Sequence, residues 1–437
     1  MPSADPQDWS APQWPGAIDA LVRLPGSKSL TNRYLVLAAL ADDVSRLRAP
    51  LRSRDTLLMA QALREIGIEI VDEPEAPADW IVTPGPLRGG ATVDCGLAGT
   101  VMRFVPAVAA LAQRPVAFDG DAHARKRPMR PVLEALAALG APVDDGGRGA
   151  LPFTVGGTGR VRGGSVVMDA SASSQFVSGL LLAGSRYDEG VTVTHDGKPI
   201  PSEPHIAMTV ETIRDAGGIV DDGEANTWRV EPAPLSGLDV TVEPDLSNAA
   251  PFLAAALVTR GRVRVAGWPH HTTQAGDGLR DILDAMGADV ALDRDGLTVA
   301  GGDGISGLDI DLHDASELTP VVAALAALAE GPSIIRGVAH IRGHETDRIA
   351  ALSTELQRIG VAAQEREDGL KITPRPTRAA QWETYGDHRM VMAGAVLGLA
   401  TPGLIVRDVG TVGKTLPEFT ALWADLLAQP ASAGRRG

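Results

Sequence analysis

A pattern recurs six times along this chain at near-constant spacing. A small or polar cluster, followed by a helix-like run of Ala, Leu and Val, begins at Ser29, Gly99, Ser173, Ser247, Ser316 and Asp387, so successive copies lie 69 to 74 residues apart. A second landmark keeps step. Amphipathic stretches end at Gly67, Gly140, Gly217, Gly287 and Gly360, 70 to 77 residues apart, and each runs into a strand-like segment. Glycine just past the last helical turn is the usual left-handed stop. Asp222-Gly223, Asp295-Gly296 and Asp368-Gly369 then read as strand–turn–strand. The sixth copy of this second landmark is not visible, and the chain closes on a plain helix, ALWADLLAQ.

A fixed period of this length marks a supersecondary unit repeated in tandem. Each unit reads as strand–helix–strand–helix–strand–strand. The first helix is apolar nearly all round and so should be buried, whereas the second has one polar face. Six units exceed what one core holds. The expectation is therefore an α/β protein of two similar globular domains, each of three βαβαββ units, with the middle near residue 240 in LSGLDVTVEPDLS. The plainer alternative is two ordinary α/β domains with chance spacing.

Composition narrows the function classes. With 40 Lys+Arg against 55 Asp+Glu, the net charge of −15 argues against general nucleic-acid binding. Cys95 is the one cysteine, which excludes an internal disulfide and a Cys-rich zinc site. The start, MPSADPQDWSAPQWPG, has neither a basic nor an apolar leader segment, and apolar runs such as VVAALAALA are too short to span a bilayer. A cytoplasmic protein is expected, with no membrane partner, a frayed N-terminus and a disordered PASAGRRG tail.

The buried helices direct attention to their N-termini, where unpaired N–H groups and the helix dipole favour anions. Clustered there are Lys28, Ser29 and Arg33; Gly99, Thr100 and Arg103; Ser173, Ser174 and Gln175; Glu317; and Asp387, His388 and Arg389. Any single Ser or Asp is explained as a helix cap. Lys and Arg are not, because a cation at that end is unfavourable unless an anion neutralises it. Arg125, Lys126, Arg127 and Arg130 in HARKRPMRP, Arg348 in HETDR and Lys414 in VGKTLPEF add basic loops, although a charge run is often only a solvated face.

Several motifs fail. PGSKS lacks the glycines of a phosphate-binding P-loop. GDGISG, residues 302–307, matches GxGxxG but sits between two strand-like runs and reads as a turn. His340, His344 and Glu345 hint at a metal, yet no third ligand of the required spacing is evident.

LPGSKSLTNR, GLAGTVMRF, RKRPMRP, SSQF, HETDR, GDHRM and VGKTLPEF, in this order, resemble the 5-enolpyruvylshikimate-3-phosphate synthase family, and the resemblance runs from about residue 18 to 425. It implies the inside-out α/β barrel of the enolpyruvyl transferases, with residues 26–243 in one domain, residues 1–25 plus 244–437 in the other, and the active site in the cleft between them. It implies transfer of the enolpyruvyl group of phosphoenolpyruvate to the 5-hydroxyl of shikimate 3-phosphate, by a monomer, with no metal or organic cofactor. It places shikimate 3-phosphate on Lys28, Ser29, Arg33, Ser173, Ser174, Ser202, Glu317 and His344, and phosphoenolpyruvate on Lys28, Gly99, Arg127, Gln175, Arg348, Arg389 and Lys414. Glu317 becomes the base for the 5-hydroxyl, and Glu345, with Lys28, the candidate acid for the phosphoenolpyruvate methylene.

The chain departs from the common family pattern at three positions. Glu317 stands where Asp is usual, Leu97 where Asn is frequent, and His344 where Lys is frequent, which makes one expected cation pH-dependent. Two other readings remain. The sister enzyme acting on UDP-N-acetylglucosamine would carry a catalytic cysteine where this chain has Ala122. A non-catalytic anion-binding protein would not need Glu317 and Glu345 together.

Overall fold

The computed structural model describes residues 7–429. The chain divides into two compact units, Pro25–Glu243 and Met1–Leu24 with Pro244–Gly437. Pro25 thus lies with the central unit, one residue from the boundary implied by the resemblance. The tail expected to be disordered, from Pro430 onwards, lies outside the described residues.

Twelve α-helices occur among the described residues. In the central unit they are α1 (Lys28–Leu40), α2 (Arg54–Ile66), α3 (Gly99–Ala109), α4 (Arg130–Ala138), α5 (Gln175–Gly184) and α6 (Pro204–Asp215). In the other unit they are α7 (Leu246–Thr259), α8 (Leu279–Ala285), α9 (Thr319–Ala327), α10 (Arg348–Arg358), α11 (His388–Gly398) and α12 (Phe419–Ala428). The apolar helices are the buried ones: every residue of α3, α9 and α11 is buried, as is α1 from Leu30 onward. They form the heart of each unit, α1, α3 and α5 packing together in one and α7, α9 and α11 in the other. Close approach sets residue size here, since a Cβ on Gly179 of α5 would lie 2.1 Å from the Arg103 carbonyl oxygen of α3.

The amphipathic helices end as the sequence predicts. Gly67, Gly140, Gly217, Gly287 and Gly360 have φ of +121°, +100°, +82°, +98° and +101°, values that other residues reach only with strain.

Five four-stranded sheets share one order. The first strand pairs in parallel with the second, the second antiparallel with the fourth, and the fourth antiparallel with the third. Residues 92–94, 116–119, 143–144 and 153–155 form one such sheet, and residues 164–168, 191–195, 220–221 and 227–230 another. The repeats are nevertheless not all contiguous. Asp239–Thr241, at the end of the central unit, supplies the leading parallel strand of its first sheet, beside Ser45–Arg48. Asp19–Val22 does the same in the other unit, beside Arg262–Ala266.

The sixth sheet has three strands, and Trp9–Ser10 pairs antiparallel with Ile405–Val406 in the place of the missing fourth strand. This corrects the expectation of a frayed N-terminus over these residues. Trp9 lies edge-on to Phe419 with ring centroids 6.4 Å apart, and Ala11 is buried, so the segment is anchored by apolar contact as well as by the ladder. GDGISG falls in the connection between strands Gly296–Ala300 and Asp309–Asp311, as expected of a turn.

Candidate active site

In the central unit, the N-termini of α1, α3 and α5 carry the polar cluster. Ser27 caps α1, its hydroxyl accepting from the Leu30 amide at 3.4 Å. Lys28 follows, its ammonium 3.5 Å from the buried carboxylate of Asp55 on α2. Ser29 is partly buried beside it.

Gly99 opens α3 at a crowded point. A Cβ there would lie 2.7 Å from Arg103 Nη1, 3.0 Å from Gln175 Oε1 and 3.2 Å from Arg127 Nη1, so the three side chains converge on the face of the glycine. Arg103 Nη1 donates to Gln175 Oε1 at 3.0 Å, and Arg127 Nη1 to the Leu97 carbonyl at 3.3 Å. Arg127 Nε is buried without a hydrogen-bond partner among the described residues. A buried donor left in that state costs about 1–3 kcal/mol, which an anion would offset. Ser173 Oγ accepts from the Gln175 amide at 3.3 Å, and Ser174 is the buried residue just before α5.

Arg33 belongs to the interior. It is 1% exposed, and its guanidinium donates to Thr209 Oγ1 at 2.8 Å and to the carbonyls of His205 and Ser29 at 2.8 and 3.0 Å. Burial pulls its pKa down to about 9. It ties α1 to α6, and through His205 to the turn holding Ser202, whose φ of +53° is unusual for a non-glycine residue. Arg125 and Arg130 pair with Asp119 and Glu134 on the surface, and the exposed Lys126 lies between them, as a solvated charge run does.

In the other unit a single chain of contacts links the N-termini of α7, α10 and α11 with the loops before α9 and α12. Ser247 Oγ donates to Glu317 Oε1 at 3.1 Å, and the Ser247 carbonyl accepts from Arg389 Nη1 at 2.8 Å. The Arg389 amide donates to the Asp387 carboxylate at 2.9 Å, which caps α11. Asp387 also takes Arg348 in a fork, Nε at 2.7 Å and Nη2 at 3.1 Å. Arg348 Nη2 reaches Glu345 Oε2 at 3.0 Å, and the other Glu345 oxygen accepts from Lys414 Nζ.

The charges here are nearly dry: side-chain exposure is 3% for Arg348, 0% for Asp387, 9% for Glu345 and 7% for Lys414. Burial alone would lower the Arg348 pKa, but the Asp387 and Glu345 carboxylates hold it above its ordinary value. Arg389 is lowered, mainly by burial, and its Nε has no hydrogen-bond partner among the described residues.

His344 faces a cation. Its Nδ1 lies 3.1 Å from Arg348 Nη1, and a guanidinium can only donate, so in this hydrogen bond the imidazole nitrogen is the acceptor. Its ring is also the end of a row. His313 and His340 centroids are 5.7 Å apart, and His340 and His344 centroids 5.8 Å apart, both edge-to-face.

Sequence reasoning singled out most of this cluster but missed Asp55 and the joining roles of Asp387 and Ser247. Asp387 carries a visible signal as the last acidic residue before an apolar helix. Asp55 carries none, because its partner Lys28 lies in another helix. Cys95 is fully buried, and burial pushes its thiol pKa up, so it behaves as a small apolar residue.

The chain matches the sequence model of the family described as EPSP synthase (3-phosphoshikimate 1-carboxyvinyltransferase) over residues 12–423. It is 53% identical over 428 residues to the 3-phosphoshikimate 1-carboxyvinyltransferase of Kocuria rhizophila, covering 96% of each chain. An EPSP synthase from Acinetobacter baumannii superimposes with a TM-score of 0.80 at 26% identity, covering 95% of this chain and 97% of that one. The enolpyruvyl transferase NikO of Streptomyces tendae shares the fold, with a TM-score of 0.75 at 18% identity over 95% of this chain and 96% of that one.

Proposed function

The chain belongs to the EPSP synthase (3-phosphoshikimate 1-carboxyvinyltransferase) family, and from that premise we propose how its residues transfer the enolpyruvyl group of phosphoenolpyruvate to the 5-hydroxyl of shikimate 3-phosphate. The observation that carries the reading is Glu345, a carboxylate gripped by Arg348 and Lys414 in a nearly dry cluster that also holds Arg389 and Glu317. Cations of this kind suit a substrate bearing both a phosphate and a carboxylate.

Phosphoenolpyruvate takes Lys28, Gly99, Arg127, Gln175, Arg348, Arg389 and Lys414. Its anionic groups compete with Glu345 for Arg348 and Lys414, so the carboxylate loses its cationic partners, rises in proton affinity and takes up from solvent the proton it then gives to C3. Shikimate 3-phosphate takes Lys28, Ser29, Ser173, Ser174, Ser202, Glu317 and His344, while Arg33 holds the Ser29 carbonyl and the Ser202 turn in place. Glu317 accepts the 5-hydroxyl proton as that oxygen bonds to C2 of phosphoenolpyruvate. The Glu345 carboxyl group, with Lys28, supplies a proton to C3. Elimination reverses both transfers: the tetrahedral adduct returns a C3 proton to the Glu345 carboxylate while the Glu317 carboxyl group protonates the departing phosphate, restoring the vinyl group and the starting state of both side chains. General acid–base help of this kind contributes about 10²–10⁴-fold.

Phosphate release from phosphoenolpyruvate tests this. Release with shikimate 3-phosphate, and none with UDP-N-acetylglucosamine, is expected, since Ala122 and the buried Cys95 offer no reactive thiol. Release only with the nucleotide sugar would overturn the specificity. Glu317→Gln should lower turnover by about 10²-fold or more while binding is retained; unchanged turnover would remove Glu317 from the chemistry.

A further inference from the structure

The turn that precedes α11 is held in a conformation its sequence does not favour. The Asp387 amide donates to the Thr384 carbonyl at 2.9 Å, closing a tight turn around Tyr385 and Gly386. Both central residues have positive φ, +55° and +69°. Two such residues in succession suit Asn-Gly or Gly-Gly. A bulky aromatic at the first position is uncommon and strained, and such strain persists only where the surroundings enforce it.

The enforcement comes from α10. The Tyr385 hydroxyl donates to Glu355 Oε1 at 2.6 Å, and the Glu383 amide donates to Glu355 Oε2 at 3.1 Å. Glu355 is itself 0% exposed and paired with Arg358 at 3.0 Å, so the anchor is rigid. Burial, and then the hydrogen bond to Glu355, push the tyrosine pKa up to about 12, so the hydroxyl remains a donor.

Glu355 stands seven residues beyond Arg348 on the same helix, which returns it to the same face about two turns on. One face of α10 therefore grips the segment twice, at Glu355 with Tyr385 and Glu383, and at Arg348 with Asp387.

We propose that Tyr385, anchored by Glu355, is a positioning residue that fixes Asp387 and, through it, the guanidinium of Arg348. Releasing the hydroxyl lets the strained turn relax, and Asp387 moves with it because only Gly386 separates the two. Arg348 then keeps its charge and its burial but loses its fixed direction. The inference rests on the assignment of Arg348 to phosphoenolpyruvate above.

The test compares Tyr385→Phe, which removes the hydroxyl and keeps the ring, with Arg348→Lys as a control and Glu355→Gln as a second probe of the anchor. Tyr385→Phe should raise the KM for phosphoenolpyruvate about tenfold, the loss of about one charge-assisted hydrogen bond's worth of organisation. The KM for shikimate 3-phosphate should stay within about twofold of wild type, while the melting temperature should fall by only a few degrees, because the buried Glu355 Oε1 loses its tyrosine donor but the half-exposed ring stays. Glu355→Gln should shift the same KM in the same direction.

Equal rises in both KM values, or no rise in either Tyr385→Phe or Glu355→Gln, would overturn the positioning role while Arg348→Lys still raises the KM for phosphoenolpyruvate. An Arg348→Lys enzyme with an unchanged KM would instead overturn the substrate assignment, and this inference with it.

Discussion

Replacing Gly99 by alanine separates binding from folding. The new methyl carbon would lie 2.7 Å from Arg103 Nη1, 3.0 Å from Gln175 Oε1 and 3.2 Å from Arg127 Nη1. A comfortable contact is about 3.5 Å, so the Arg103 end must retreat by about 0.8 Å, and Gln175 and Arg127 by less. All three atoms are ends of flexible side chains, so the fold gives way easily. Gly99 is the first residue of α3, where alanine gains up to about 1 kcal/mol over glycine. Stability should hold or rise slightly.

Binding should move the other way. The methyl occupies the point on which Arg103, Arg127 and Gln175 converge, and displaces donors worth about 1.5–3 kcal/mol each to an anion. The KM for phosphoenolpyruvate should rise about 10- to 100-fold, with the KM for shikimate 3-phosphate within about twofold of wild type. Steady-state kinetics and thermal melting on the same preparation decide it. An unchanged KM for phosphoenolpyruvate, or a fall in stability beyond about 2 kcal/mol, would refute the reasoning from close approach.

Two further outcomes follow from the other cluster. Asp387→Ala should destabilise its unit by about 3–5 kcal/mol, because it strips a buried partner from Arg348 and the cap from α11. Asp387→Asn should recover about 1 kcal/mol of that through the retained cap. Urea denaturation reads both, and a cost below about 1 kcal/mol for the alanine variant would mean that Glu345 alone suffices for Arg348.

His340 supplies the pH dependence. Burial, and then the neighbouring His313, lower its pKa from 6.5 to about 4. Between those values the unfolded chain binds the extra proton, so stability declines as pH falls from 6.5 towards 4, by at most about 3 kcal/mol. His340→Phe should flatten the stability profile in that window; a profile unchanged by the substitution would remove His340 as the cause.

Much of the fold was legible because it is written locally. A helix stop needs only a glycine, and Gly67, Gly140, Gly217, Gly287 and Gly360 mark their stops with positive φ. A buried helix needs only an apolar circumference, and α3, α9 and α11 have it. The candidate site was legible for a related reason. Lys28, Arg103 and Arg389 stand at helix starts, where a cation makes sense only beside an anion.

Partnership across the chain was not legible. The part Arg33 plays in tying α1 to α6 could not be read, because its acceptors, Thr209 and the His205 carbonyl, lie more than 170 residues away. The identity of His344 as an acceptor depends on where Arg348 is drawn, and that is set by Asp387, 39 residues further on.

The amino-acid order by itself determined the period, the helix stops, the buried helices and the basic clusters at their starts, since each depends on residues within a turn or two of one another. Tertiary structure alone decided that Asp239–Thr241 and Asp19–Val22 complete sheets begun elsewhere and that Trp9–Ser10 fills the sixth. It also decided which carboxylate holds which cation. A strand edge or a buried charge accepts whichever complementary group the folded chain delivers, and sequence separation carries no record of that choice.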